Sequence, residues 1–153
     1  MIELKKVIYD KRARDGTWCK LPYPNHKYGC PNFPICPKFH EDFTELQKRY
    51  ERWGAVFIEF DLKRHSEMMK EKHPEWSYRK LRNLLYWQKR LRNKLFLEAC
   101  IAREGEGEIL EIPEAYGVDV FNTMELVGIH LERNPDIVRK VMLIGFNKER
   151  SFD

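Results

Sequence analysis

Apolar positions along the chain change period several times, and each change marks an element. Phe43, Leu46, Tyr50 and Trp53 follow a 3, 4, 3 spacing, which places four side chains on one helical face. That spacing predicts a helix over residues 42–53, with Gly54 at the usual stop position. Residues 55–62, Ala-Val-Phe-Ile-Glu-Phe-Asp-Leu, are dense in β-branched and aromatic side chains and read as the best strand. A helix over 63–72 follows, and His73-Pro74 breaks it. Ser77 can cap a second helix that runs to about residue 102, with Leu81, Leu84, Gln88, Leu91 and Leu95 as its inner stripe. Gly105-Glu-Gly107 makes a loop, and 108–112 is a short strand. Asp119 can cap a helix over 120–130, Asn134-Pro135 is a turn, and 141–146 is a final strand. Asp61 and Asp119 are expected to act as helix caps rather than catalysts. The order predicts an α/β (α+β) fold, a two-layer sandwich of a small sheet with helices.

The first forty residues break this rhythm. Asp15-Gly16 signals a turn between short stretches at 6–9 and 17–21. Pro22, Pro24, Pro31, Pro34 and Pro37, with Gly29, then exclude a helix or a central strand. Yet Tyr23, Tyr28, Phe33 and Ile35 lie in the same stretch, and a disordered linker is not so aromatic. Something must fix this region. The 153 residues fit a single domain, with 1–40 as a metal-binding loop region and 41–153 as the α/β core.

Composition narrows the setting. The chain is 42% hydrophobic and 34% charged, with a net charge of only +4. A nucleic-acid argument must therefore rest on local clustering, not on the whole chain. The N-terminus, Met-Ile-Glu-Leu-Lys-Lys, has no apolar core of a secretory signal, and no stretch is apolar enough to span a bilayer. A cytoplasmic protein is expected. Thiols stay reduced there, so clustered cysteines hold metal more often than they form disulfides.

The cysteines are spaced Cys19-x10-Cys30-x5-Cys36, with Cys100 far away on a predicted helix. Proline follows both Cys30 and Cys36. A rigid neighbouring backbone and an aromatic shell both suit thiolate ligands, and proline after a cluster cysteine occurs in bacterial ferredoxins. The closely paired cysteines of a zinc knuckle are missing, which favours an iron–sulfur cluster, of [4Fe-4S] type, over zinc. Three cysteines leave one position to fill. Cys100, His26 and His40 are candidates, and so is a substrate atom on an open iron. An open iron would act as a Lewis acid or sulfur acceptor on a small molecule or nucleobase. Cys100 has a second reading as a buried small hydrophobe, which its neighbours Leu97, Ala99 and Ile101 suit.

Two stretches resemble an uncharacterised family of cysteine-rich, predicted metal-binding proteins of archaea and bacteria. Tyr28-Gly-Cys-Pro-Asn-Phe-Pro-Ile-Cys-Pro37 is similar to that family's Gly-Cys-Pro…Cys-Pro loop, with Cys19 as the earlier cysteine. Pro113-Glu-Ala-Tyr-Gly-Val-Asp-Val-Phe-Asn-Thr123 is similar to its Glu-Ala-x-Gly-Ile-Asp-Val segment. The resemblance implies metal binding and no particular reaction. The family's second set of cysteines is largely missing here, where only Cys100 and Glu104-Gly-Glu-Gly-Glu108 occupy the connection.

A last signal is charge. Between Ser77 and Leu97 stand Arg79, Lys80, Arg82, Lys89, Arg90, Arg92 and Lys94, with no acidic residue. Tyr78, Tyr86 and Trp87 are interleaved with them. Phosphates could meet these cations while an unpaired base stacks on an aromatic ring. Arg79, Arg82, Tyr86, Lys89 and Arg90 are the candidate RNA- or DNA-binding residues of a metal-stapled module. The bland alternative is a solvated face paired with acids such as Glu67, Glu71 and Glu75. No phosphate-binding glycine loop and no Gly-x-Ser-x-Gly element is present.

Overall fold

The computed structural model describes residues 1–14, 41–132 and 135–147. A four-stranded antiparallel sheet organises them, in the order β1-β2-β4-β3. The strands are β1 (Ile2–Leu4), β2 (Arg52–Asp61), β3 (Glu108–Leu110) and β4 (Ile137–Phe146). β2 and β4 form the spine, paired over all ten residues from Arg52↔Phe146 to Asp61↔Ile137. β1 lies against the first part of β2, and β3 against the last part of β4. The expected α+β class is what the chain adopts.

Alternation along the spine sends side chains to both faces, and both are covered. On one face Trp53, Ala55, Val141 and Leu143 join Phe43, Leu46, Val118, Val120 and Met124 in one buried cluster. Those partners come from α2 (Phe43–Arg49), α6 (Val120–Glu125) and the 3-10 turn Pro113–Tyr116 with its exit. On the other face Val56, Met142, Ile144 and Phe146 meet Leu95 and Ala99 of α5 (Gln88–Arg103). A third cluster of Leu62, Leu84, Trp87 and Leu91 extends that face past Ile58 and Phe60. The helical cover is thus divided between the two faces. Leu4 and Val7 also belong to the first cluster, so the residues before the cysteine segment are part of the core.

Several elements differ from expectation, and three of the differences have a clear physical reason. The helix expected over 42–53 stops at Arg49, and Tyr50 is already extended. Trp53 is instead a strand residue opposite Gly145. Its indole fills the space a Cβ would take there, at 2.8 Å, and its Nε1 donates to the Tyr50 carbonyl at 3.1 Å. The four residues of the 3, 4, 3 spacing still converge, with the Phe43 and Trp53 rings 4.8 Å apart, but around a helix–strand corner. Gly54 lies in β2 and ends nothing.

The long helix expected from Ser77 is broken. Ser77 does cap α4 (Tyr78–Leu81), accepting from the Lys80 amide at 3.2 Å. Asn83 then accepts from the Leu85 amide at 3.0 Å and starts a 3-10 turn, Leu84–Tyr86, before α5 begins. Short polar side chains compete with helical bonds in this way. The third difference is α6, which ends at Glu125 rather than near residue 130. Gly128, at φ +80°, turns the chain so that the Ile129 amide donates back to Met124. Between β2 and α4 lies α3 (Leu62–Lys72), which matches its expected span and is capped by Asp61 through the Arg64 amide. Asp119 likewise caps α6 through the Asn122 amide.

Candidate metal centre and basic aromatic face

Cys19, Cys30 and Cys36, with His26 and His40, lie outside the described residues. What the structure does describe is the frame that holds the two ends of their segment. The chain enters it from α1 (Lys11–Arg14) and returns at Glu41, one residue before the cap of α2. Asp42 joins these ends. Its carboxylate accepts from the Thr44 amide at 2.9 Å, the Thr44 hydroxyl at 2.6 Å and the Tyr9 hydroxyl at 2.6 Å. It also pairs with Arg14 at 3.2 Å. One carboxylate thus caps a helix and ties the exit of the segment to its entry.

The charges around this root follow from their partners. Burial pushes the Asp42 carboxyl up, but the bonds from Thr44 and Tyr9 and the Arg14 cation outweigh it and hold it below its ordinary value. The same Asp42 bond, helped by burial, raises the Tyr9 phenol. Arg12 lowers Asp10 by donating to it, and Arg49 lowers Glu41 through bonds of 2.8 and 2.9 Å.

The strand-like strap before α1 is seated on the second stretch that carries the family resemblance. Asp10 donates to the Gly117 carbonyl at 2.7 Å, and Asp119 donates to the Ile8 carbonyl at 2.8 Å. Ile8 donates to the Thr123 hydroxyl at 2.9 Å, and Tyr9 bridges Val118. Gly117 sits at φ +94°, where a Cβ would stand 2.4 Å from the Tyr9 ring. Only glycine fits both demands. Residues 113–119 thus position the strap that leads into α1, from which the cysteine segment departs. Glu114 lies in this seat, and its carboxyl accepts from its own backbone amide, which favours the charged form. Burial drives that carboxyl up, against the pull of Lys140, although part of the residue still meets solvent.

Cys100 lies elsewhere. It follows Ala99 on α5, which covers the face of the sheet opposite α2. It is a free thiol and partly buried. Among the described residues, no three His, Cys, Asp or Glu side chains converge as a metal site.

The basic residues divide. Arg79, Lys80, Lys89, Arg90 and Lys94 are exposed. Arg82, a candidate for phosphate contact, is instead buried, with 8% of its surface exposed. Its guanidinium donates to the Pro135 carbonyl and pairs with Asp136 at 3.6 Å. Trp87 is also inside, stacked on Phe60 at 5.1 Å and donating to the Arg82 carbonyl at 3.2 Å. Tyr78 and Tyr86 do face solvent, at 65% and 44% exposure. Sequence reasoning missed a surface array beside them. His73 stacks on Trp76 at 4.0 Å, Trp76 meets Tyr86 at 4.9 Å, and Lys80 sits 4.5 Å over the Trp76 ring. The residues were visible around the His73-Pro74 break, but nothing local says that rings ten residues apart will meet.

Among the described residues no helix is long and apolar enough to cross a membrane. Models of protein families, curated proteins and solved structures give no match to this chain.

Proposed function

We propose that this is a cytoplasmic metal-binding protein whose residues 15–40 hold an iron–sulfur cluster of [4Fe-4S] type through Cys19, Cys30 and Cys36. The observation that carries the reading is the closed root. Asp42 bonds to Tyr9 and Arg14, so the ends of the cysteine segment are fixed beside each other before any metal is considered. A frame of this kind lowers the ordering cost of bringing distant thiolates to one centre. The donor set fits as well: three thiolates suit a cluster or zinc, and the missing knuckle pair favours the cluster. Bound there, the cluster would supply a soft, thiolate-held iron centre.

Cys100 is assigned no ligand role in this reading, because α5 carries it on the far face of the sheet. The fourth position then falls to His26, His40 or a molecule from outside. Anaerobic purification tests this. The expected protein is brown, contains iron and inorganic sulfide in equal amounts, loses both in Cys30→Ala and keeps both in Cys100→Ala. Stoichiometric zinc without sulfide overturns the cluster, and loss of iron in Cys100→Ala overturns the ligand assignment.

A further inference from the structure

The face that turns from α3 to α5 carries a second surface, independent of the cysteine segment. Exposed aromatic rings are costly in water unless something covers them. Here Tyr78, Trp76 and Tyr86 stand outside all three buried clusters. His73, Trp76 and Tyr86 contact one another in series, which holds Tyr86 in place at the edge of the array. Tyr78 is held differently, by the buried Arg82 guanidinium 5.3 Å from its ring centroid. Both outer rings are thus preorganised yet solvent-facing.

Exposed cations lie beside them along the chain. Lys80 lies over Trp76, Arg79 is its neighbour on α4, and Lys89 and Arg90 open α5 just after Tyr86. Among the described residues, Arg79, Lys89 and Arg90 have no carboxylate within salt-bridge distance. Glu75, 3.8 Å from His73, and Asp136, 3.6 Å from Arg82, are the acids that, among the described residues, pair with residues of this face. The acids Glu67 and Glu71 of α3 do not neutralise these cations. Among the described residues, Arg79, Lys89 and Arg90 are therefore open to a ligand's phosphates.

We propose that this face binds single-stranded nucleic acid. Phosphates meet Arg79, Lys80, Lys89 and Arg90, and unpaired bases stack on Tyr78 and Tyr86. A duplex keeps its bases stacked on each other and cannot use the rings, and a peptide of aspartate and glutamate alone has no ring to lay on them. Arg82 and Trp87 take no part except to hold the platform from beneath.

The test is fluorescence anisotropy with the full chain, purified anaerobically, and fluorescein-labelled oligo(U) or oligo(dT) of roughly fifteen nucleotides. Binding should weaken about fifty-fold between 50 and 200 mM salt, the slope of about four phosphate contacts on a single strand. Lys89→Ala with Arg90→Ala should weaken binding and flatten that slope by about half. Tyr78→Ala with Tyr86→Ala should weaken binding about tenfold or more and leave the slope unchanged. All four side chains are exposed, so thermal melting of the variants should match wild type. Preference for oligo(U) or for oligo(dT) tells whether RNA or DNA is the strand, through the 2′-hydroxyl. The proposal is overturned by no binding at 50 mM salt, by equal affinity for a duplex or for base-free polyphosphate, or by a tyrosine variant that binds like wild type. None of these results depends on iron content, so the cluster reading stands or falls separately.

Discussion

On one face of the sheet, Phe43, Leu46, Val120 and Met124 close over Trp53, Ala55 and Leu143, and polar groups at the rim bind each other. On the opposite face, Leu91, Leu95 and Ala99 of α5 pack inward while Lys89, Arg90 and Lys94 point to water. The first face ends in a knot of hydrogen bonds where a long segment leaves and returns. On the second, among the described residues, Lys89, Arg90 and Lys94 make no ion pair. The same strands support both, because successive residues of β2 and β4 serve opposite layers. The difference teaches that burial alone does not distinguish the two faces here. What separates them is whether the polar groups at the edge find partners within the fold.

If both faces are equally part of the core, then emptying either one must unfold the protein at similar cost. Phe43 and Leu95 are each fully buried, one per face. Phe43→Ala should cost about 3–5 kcal/mol and Leu95→Ala about 2–5 kcal/mol, read from urea unfolding midpoints. A Leu95→Ala cost under about 1 kcal/mol would mean that α5 is only loosely docked, and the fixed geometry argued for Tyr86 would fail with it.

The rims can be compared next. Arg82 is the polar latch of the α5 face, joined to the 135–136 corner whose Asp136 carbonyl also accepts from Leu62 and Lys63. Asp42 is the latch of the other face. Arg82→Ala should cost about 2–3 kcal/mol, because it empties a buried site and leaves the half-buried Pro135 carbonyl without its donor, while the exposed Asp136 loses little. Asp42→Ala should cost about 2 kcal/mol, roughly half from the lost cap of α2 and the rest from Tyr9 and Arg14. Asp42→Asn keeps an acceptor for the cap and should cost about half as much. The sharper contrast is in metal content. Asp42→Ala should lower iron retention while Arg82→Ala should not, measured on anaerobically purified protein. Equal retention in the two variants would break the link between the Asp42 knot and the cysteine segment.

How far the sequence foretold these faces depends on how local each cause was. Caps at Asp61, Ser77 and Asp119 were legible, because a cap acts within three residues. The end of α6 has a local signal too, in Gly128 at φ +80°. The fate of Trp53 was not, because it depends on Gly145, ninety-two residues later in the chain. β4 begins at Ile137, earlier than the apolar run suggests, because Arg139 and Lys140 interrupt its pattern while their backbone pairs with Glu59 and Ile58. The break before α5 was hidden for a related reason. Arg82 finds its partners at residues 135 and 136, and no helical periodicity announces that. The metal candidates show the reverse case. Cys19, Cys30 and Cys36 are conspicuous in sequence, whereas the Asp42–Tyr9–Arg14 closure that gives them a frame emerges only from the fold.

The smallest expected effect concerns the seat beneath that frame, and pH separates its parts. Asp10, Glu41 and Asp42 have depressed values in the folded protein. Their contribution is present above the ordinary carboxylate range and is lost as pH falls through the folded values. Glu114 works in the opposite sense. Its folded value is raised above 4.5, so the folded state holds a proton that the unfolded chain gives up. Stability from that protonated carboxyl is complete below 4.5 and declines as pH rises toward the folded value. Glu114→Gln keeps the shape and removes the ionisation. At pH 7 the variant should therefore be more stable than wild type, by up to about 1 kcal/mol, because the cost of burying a charge is gone. Near pH 4 the two proteins should unfold at the same urea concentration. On the α5 side burial lowers His65, which packs against Phe60, but Leu95 belongs to a separate cluster, so Leu95→Ala should show the same loss at both pH values. A Glu114→Gln difference that persists unchanged at pH 4 would assign the effect to packing rather than charge. The seat of the strap would then be a neutral contact like those on the other face.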